Sequence, residues 1–122
     1  MDQPAKQMQD PTIQQIIDAM PERFDPHAAD GVDAVLQFNL TGEEARNFYA
    51  IIKDGACTLK IGQHGSPTMS MKMSAQTYVD MVMGRITGQE AFFRRKLTYR
   101  GPINLAIRIH RFFRPPETAA SA

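Results

Sequence analysis

Residues 47–61 read Asn-Phe-Tyr-Ala-Ile-Ile-Lys-Asp-Gly-Ala-Cys-Thr-Leu-Lys-Ile, and this stretch decides the fold class. Successive side chains of a strand point to opposite faces, so Phe48, Ala50 and Ile52 share one face of a strand over residues 47–53. Asp54-Gly55 is a two-residue hairpin signal. The chain then returns through Ala56–Ile61 with Cys57, Leu59 and Ile61 aligned on one side. A hairpin this tight places a sheet at the centre of the molecule.

Working outward, residues 32–40 alternate in the same way. Ala34, Leu36, Phe38 and Leu40 face one side, and Asp33, Gln37 and Asn39 the other, which predicts a strand with one buried and one wet face. Residues 41–44 make the turn into the hairpin. Upstream, Asp10-Pro11 reads as an N-cap followed by proline in the first helical position. Ile13, Ile16, Ile17 and Met20 then form the stripe of an amphipathic helix over 11–20, with Pro21 and Pro26 marking its end. Downstream, residues 62–67 are a loop, and residues 68–73 a strand with Met69, Met71 and Met73 on one face. Ser74 caps a helix over 75–83, with Gly84 in the position that ends it. Thr87 and Glu90 open a short helix carrying Ala91, Phe92 and Phe93. Residues 96–100 are a fifth strand with Leu97 and Tyr99 together. Gly101-Pro102 turns into a final helix running to Phe113, before Pro115-Pro116. The order is α-β-β-β-β-α-α-β-α, and the class α+β: a hairpin-rich sheet with helices gathered mainly on one side. One domain over 11–114 is expected, between flexible tails at 1–10 and 115–122.

Composition narrows the function. Apolar residues at 43% and charged ones at 22% fit a soluble globular protein, and no apolar run reaches the ~20 residues of a spanning helix. The N-terminal residues lack the pattern of a secretion signal, and one cysteine, Cys57, forms no internal disulfide; both point to the cytoplasm. Net charge is +1 but unevenly spread. Residues 85–114 carry eight Lys or Arg against one acid, Glu90, for +7, whereas residues 1–84 carry six basic and eleven acidic side chains, for −5. That asymmetry calls for an anionic partner near the C-terminal third.

The final helix is too apolar for its place. Ile103, Leu105, Ala106, Ile107, Ile109, Phe112 and Phe113 sweep roughly 220° of the wheel, against the ~100° a surface helix buries. The surplus needs a bound apolar ligand, another chain or a membrane surface.

The ordered series resembles the sterol carrier protein 2 family over about residues 12–113. It comprises Phe38-Asn39-Leu40-Thr41-Gly42-Glu43, Lys53-Asp54-Gly55, a methionine-rich strand running into Ser74, and the short helix of residues 78–84 ending in glycine. Ala91-Phe92, Lys96-Leu97, Gly101, Leu105-Ala106 and Phe112-Phe113 complete it. The resemblance implies a five-stranded, mostly antiparallel sheet covered by helices. Between them it implies an apolar tunnel holding fatty acid, acyl-CoA, phospholipid or sterol. Two positions depart from the pattern: Arg95 stands where the family commonly has glycine, and Pro102 where it has an acidic residue.

The candidate lipid-binding residues are Ile16, Met20, Phe38, Phe48, Met69, Met71, Val82, Met83, Phe92, Phe93, Leu105, Ile109 and Phe112. Methionine, flexible and polarizable, suits a wall that must fit varied chains. Arg94, Arg95, Arg108 and Arg111 are the candidates for a head-group or an anionic membrane. His27, His64 and His110 do not converge as zinc ligands do. Cys57 has no basic neighbour fixed by sequence and reads as an inert thiol. No nucleophile elbow, phosphate loop or dinucleotide fingerprint is present, so neither catalysis nor a cofactor is expected. The reading is a non-enzymatic lipid-binding or transfer domain. Its rivals are a homodimerising or enzyme-docking accessory module in lipid or quinone metabolism and, behind it, a nucleic-acid binder.

Overall fold

Strand β1 (Ala34–Thr41) is the axis on which the sheet is built. On one side it pairs antiparallel with β2 (Arg46–Lys53), which pairs in turn with β3 (Ala56–Ile61). On its other side it pairs parallel with β4 (Met69–Ser74), and β5 (Leu97–Arg100) closes that edge antiparallel. The order is β3-β2-β1-β4-β5, so the sheet is mixed with a single parallel pair. This is a computed structural model in which residues 10–114 are described; the two expected tails lie outside these, apart from Asp10.

The register puts every predicted alternation onto one common face. Leu36 lies beside Ala50 and Met69, Phe38 beside Phe48 and Met71, and Met73 beside Leu97. Helices cover this face: α1 (Ile13–Arg23), α2 (Ala75–Val82), α3 (Gly88–Phe93) and α4 (Ile103–Arg108). Ile13, Ile16, Ile17 and Met20 of α1 are buried with Tyr78 and Val79 of α2. The Phe38 and Phe48 rings stack at 4.8 Å, and Tyr78 tilts onto both. Burial in this apolar packing raises the pKa of the Tyr78 hydroxyl, which faces the Met20 sulfur at 3.7 Å.

Several local expectations shift. The N-cap of α1 is Thr12, not Asp10: Thr12 Oγ1 accepts from the Gln15 N–H while Gln15 Oε1 accepts from the Thr12 N–H. Asp10 is instead buried in an ion pair with Arg85, which also meets Asp80 at 2.9 Å and ties the segment just before α1 to the turn after α2. Pro21 lies inside the last turn of α1, where it forgoes the bond its N–H would have given to the Ile17 carbonyl, and the helix still runs two residues past it to Arg23.

Gln37, expected in solvent, is 1% exposed. The connection from β3 to β4 must pass β2 and β1 to reach a parallel partner, and residues 62–68 bind that second face. Gln37 Oε1 accepts from the His64 N–H at 2.9 Å, while Nε2 donates to the carbonyls of Gly62 and Phe48 at 3.0 and 3.1 Å. Thr68 finishes the crossing by exchanging bonds with Val35.

The last helix is shorter than its pattern. It leaves α geometry after Arg108 for one 3-10 turn, Ile109–Arg111. The Arg114 N–H donates to the Arg23 carbonyl and the Asp25 N–H to that of Phe112, with an antiparallel bridge between Phe24 and Phe113. That bridge holds the chain extended at Phe113, so the helix cannot continue. At the start of α4, Gly101 is needed for close approach: a Cβ there would stand 2.9 Å from the Thr68 carbonyl oxygen.

Candidate functional site

The core face of the sheet is wider than the helices that cover it. At the β3 edge, Cys57, Leu59 and Ile61 continue the row of Ile52, Ala50 and Phe48, yet they are only half-buried or exposed. α1 runs alongside without closing over them. Between the two lies an open groove of about 480 Å³. Ile17, Pro21, Cys57, Leu59 and Ile61 supply its apolar wall, while Gln14, Asp18 and Thr58 supply polar groups. Burial pushes the Cys57 thiol up to about 11, so it is a neutral, apolar part of the wall at ordinary pH. A volume in this range suits a small amphipathic molecule.

The predicted lining residues fall into three groups. Ile16, Met20, Phe38, Phe48, Met69, Met71 and Phe112 are buried together in the layer between sheet and helices. Val82, Met83, Leu105 and Ile109 are partly buried against that layer. Phe92 and Phe93 stand apart: Phe92 leans on Tyr99 at 5.5 Å, and Phe93 is 80% exposed. Phe112, expected as a wall or gate, is a fully buried core residue with the Arg108 guanidinium 5.9 Å from its ring centroid. The apolar arc of the final helix is therefore divided. Leu105, Ala106 and Ile109 face the core, whereas Ile103 and Ile107 are 57% and 56% exposed.

The four predicted arginines are not equivalent. Arg94 pairs with Glu90 at 2.9 Å, and Arg108 donates to the carbonyls of Ala28 and Asp30 at 3.0 and 3.4 Å. Arg95 and Arg111 are exposed and, among the described residues, make no ion pair. Sequence reasoning aligned Cys57, Leu59 and Ile61 but did not single them out with Ile17 as a site. Their alternation was visible; that β3 forms an incompletely covered edge was not. Among the described residues no three His, Cys, Asp or Glu side chains converge as a metal site, and no helix is long and apolar enough to cross a membrane.

Comparison with known proteins agrees with this architecture. A hydroxysteroid dehydrogenase-like protein 2 of Xenopus tropicalis is 24% identical over 108 residues, 88% of this chain and 26% of that protein. The fold recurs in the stereoselective inverting sec-alkylsulfatase of Pseudomonas sp., with a TM-score of 0.74 at 14% identity, covering 85% of this chain and 16% of that one. The chain thus spans about a quarter or less of these longer proteins. Palmitated SCP2L2 of Aedes aegypti matches almost end to end, with a TM-score of 0.66 at 19% identity, covering 83% of this chain and 93% of that one. The profile of the SCP-2 sterol transfer family matches residues 13–114, and the chain belongs to that family.

Proposed function

We propose that this domain binds one amphipathic lipid by its acyl chain and carries it in a form shielded from water. The observation that carries the proposal is the groove between α1 and β3, where the core face of the sheet runs out from under the helices. The acyl chain lies along Ile17, Leu59 and Ile61 and reaches inward toward Ile16, Met20, Phe38, Phe48, Met69 and Met71. Val82, Met83, Leu105, Ile109 and Phe112 back it from the helix side. Opening the tunnel typical of the family requires α1 and the C-terminal segment to yield around Met20, Met69 and Met71, whose unbranched side chains repack at small cost.

Burying a sixteen-carbon chain gains on the order of 12 kcal/mol before association and repacking reduce it. No reacting group is needed; the transfer of apolar surface is the function. An apolar wall discriminates weakly among fatty acid, acyl-CoA, phospholipid and sterol, at about 1–3 kcal/mol per methylene. The relative whose palmitated form shares the fold supports a fatty acyl ligand. A second reading, that the domain presents lipid to a partner enzyme, is favoured by the longer dehydrogenase-like relative that contains the same segment.

The test is uptake of a fluorescent fatty acid, together with native mass spectrometry of the purified protein. The wild type is expected to carry a lipid-sized adduct and to take up the probe. Leu59→Glu, which puts a carboxylate into the groove wall at a side chain only partly buried against the core, is expected to lose uptake while keeping its circular dichroism. A folded Leu59→Glu protein with undiminished uptake overturns the assignment of the groove.

A further inference from the structure

One end of the groove between α1 and β3 is closed by a polar chain that crosses from helix to sheet. Among the described side chains that line the groove none is a cation, and Asp18 alone is charged. Gln14, in the same wall, is held on both sides. Its Nε2 donates to Asp18 Oδ1 at 2.8 Å, and its Oε1 accepts from the Arg46 guanidinium. Arg46 opens β2 and shares the helix-covered face of the sheet, because it lies two residues before Phe48 and beside the buried Leu40. Ile61 stands beside Phe48 on the next strand. Arg46 is therefore at the Ile61 end of the groove, about 7 Å along β2 from the Phe48–Ile61 pair. It is half-buried and, among the described residues, makes no ion pair; its charge meets the neutral amide of Gln14.

We propose that Arg46 determines which lipids the groove takes: its guanidinium holds the carboxylate of an unesterified long-chain acid in the place of Gln14 Oε1. This rests on the lipid-carrier reading and deepens it, by selecting an ionised head over a neutral one. A carboxylate entering a wall whose own charge is Asp18 is repelled unless a cation meets it, and Arg46 is the cation bonded to that wall. A guanidinium presents its donors as a fork that matches a carboxylate, and such a charge-assisted pair is roughly twice as strong as a bond to a neutral acceptor. Gln14 is exposed, so its side chain can swing into water and leave the guanidinium to the ligand. The acyl chain then runs from Ile61 past Leu59 to Cys57, about 14 Å along β3, with Ile17 and Pro21 on the helix side. A hydroxyl or ester head offers Arg46 no more than the amide already gives, and gains nothing by displacing it. A phosphate dianion meets Asp18 with twice the charge of a carboxylate, which favours the carboxylate.

The test is the ratio of affinities for palmitate and for hexadecanol, which share a sixteen-carbon chain and differ in the head. Both are measured at pH 8 by equilibrium dialysis of the labelled ligands, with circular dichroism checking each variant. In Arg46→Gln the palmitate-to-hexadecanol ratio is expected to fall about tenfold or more from its wild-type value. Arg46→Lys, which restores the charge without the fork, is expected to recover part of it. An Arg46→Gln ratio within about twofold of wild type, whether or not both affinities drop together, makes the Arg46–Gln14 bond a structural tie and overturns the assignment. So does a wild type that binds hexadecyl phosphate more tightly than palmitate. Either result leaves the carrier reading standing, because the ligands still bind. A wild type that takes up none of the three removes the carrier reading, and the role of Arg46 with it.

Discussion

Gly84 and Arg95 occupy the same position in two copies of one helix-ending turn. After α2, the Gly84 N–H donates to the Met81 carbonyl at 3.1 Å and the Arg85 N–H to that of Asp80 at 2.8 Å. After α3, the Arg95 N–H donates to Phe92 at 3.0 Å and the Lys96 N–H to Ala91 at 2.8 Å. Both residues are left-handed, with φ of 80° and 63°. The geometry gives a physical reason for the glycine that the family resemblance puts at position 95, since a Cβ there crowds the following carbonyl.

Arg95→Gly is therefore expected to stabilise the domain by about 0.5–1 kcal/mol, the relief of left-handed strain less the added freedom of the unfolded chain. Urea unfolding of Arg95→Gly beside Arg95→Ala checks it. Because both substitutions remove the charge, a glycine variant no more stable than the alanine variant refutes backbone strain at this turn.

Gln37→Leu is expected to cost about 2–4 kcal/mol, because the carbonyls of Phe48 and Gly62 and the His64 N–H all lose their partner. The loss should concentrate in the crossing of residues 62–68, where amide hydrogen exchange quickens first. A change within about 0.5 kcal/mol, the usual range of a surface substitution, contradicts the anchoring role.

Cys57 provides a reporter inside the groove. Its thiol is raised from 9.0 to about 11 by burial, so near pH 8 the thiolate, and with it the rate of alkylation, should be about a hundredfold below that of an unperturbed cysteine. The folded state holds this proton more tightly than the unfolded state. The linked stability is thus fully present below pH 9 and is lost as pH rises through about 11, a limb that Cys57→Ala should flatten. Saturating fatty acid is expected to slow alkylation further. An unchanged rate in a protein that demonstrably holds the lipid places the acyl chain elsewhere.

Pro102, the second departure from the family pattern, is the N-cap of α4 and offers no side-chain acceptor to its first amides. Pro102→Asp supplies one, and is expected to strengthen the helix by about 1 kcal/mol. Amide exchange over residues 104–106 should slow about fivefold with the rest of the domain unaffected. If those amides are equally protected in both proteins, the added carboxylate does not cap α4.

Much of the fold was legible. Phe48, Ala50 and Ile52, then Cys57, Leu59 and Ile61, declared one face by period alone, and Asp54-Gly55 fixed the hairpin between them, with Asp54 at φ 53°. Ser74 caps α2 as read, its hydroxyl oxygen accepting from the Thr77 N–H at 3.0 Å. The candidate site was legible only as composition. Nothing in Phe112-Phe113 says that the first ring is core and the second a half-buried partner of Phe24, because the Phe24–Phe113 bridge joins residues far apart in the chain.

By itself, then, the sequence determined which side chains share a face, where helices begin to within a turn, and the concentration of positive charge in the last third. These follow from backbone geometry and local capping, which act over a few residues. Only the tertiary structure decided what covers each face: the crossing loop that buries Gln37, the uncovered edge at Leu59 and Ile61, and the division of the last helix between core and surface. Burial depends on chain segments that meet from far apart, and a local pattern records a preference for being covered without recording by what.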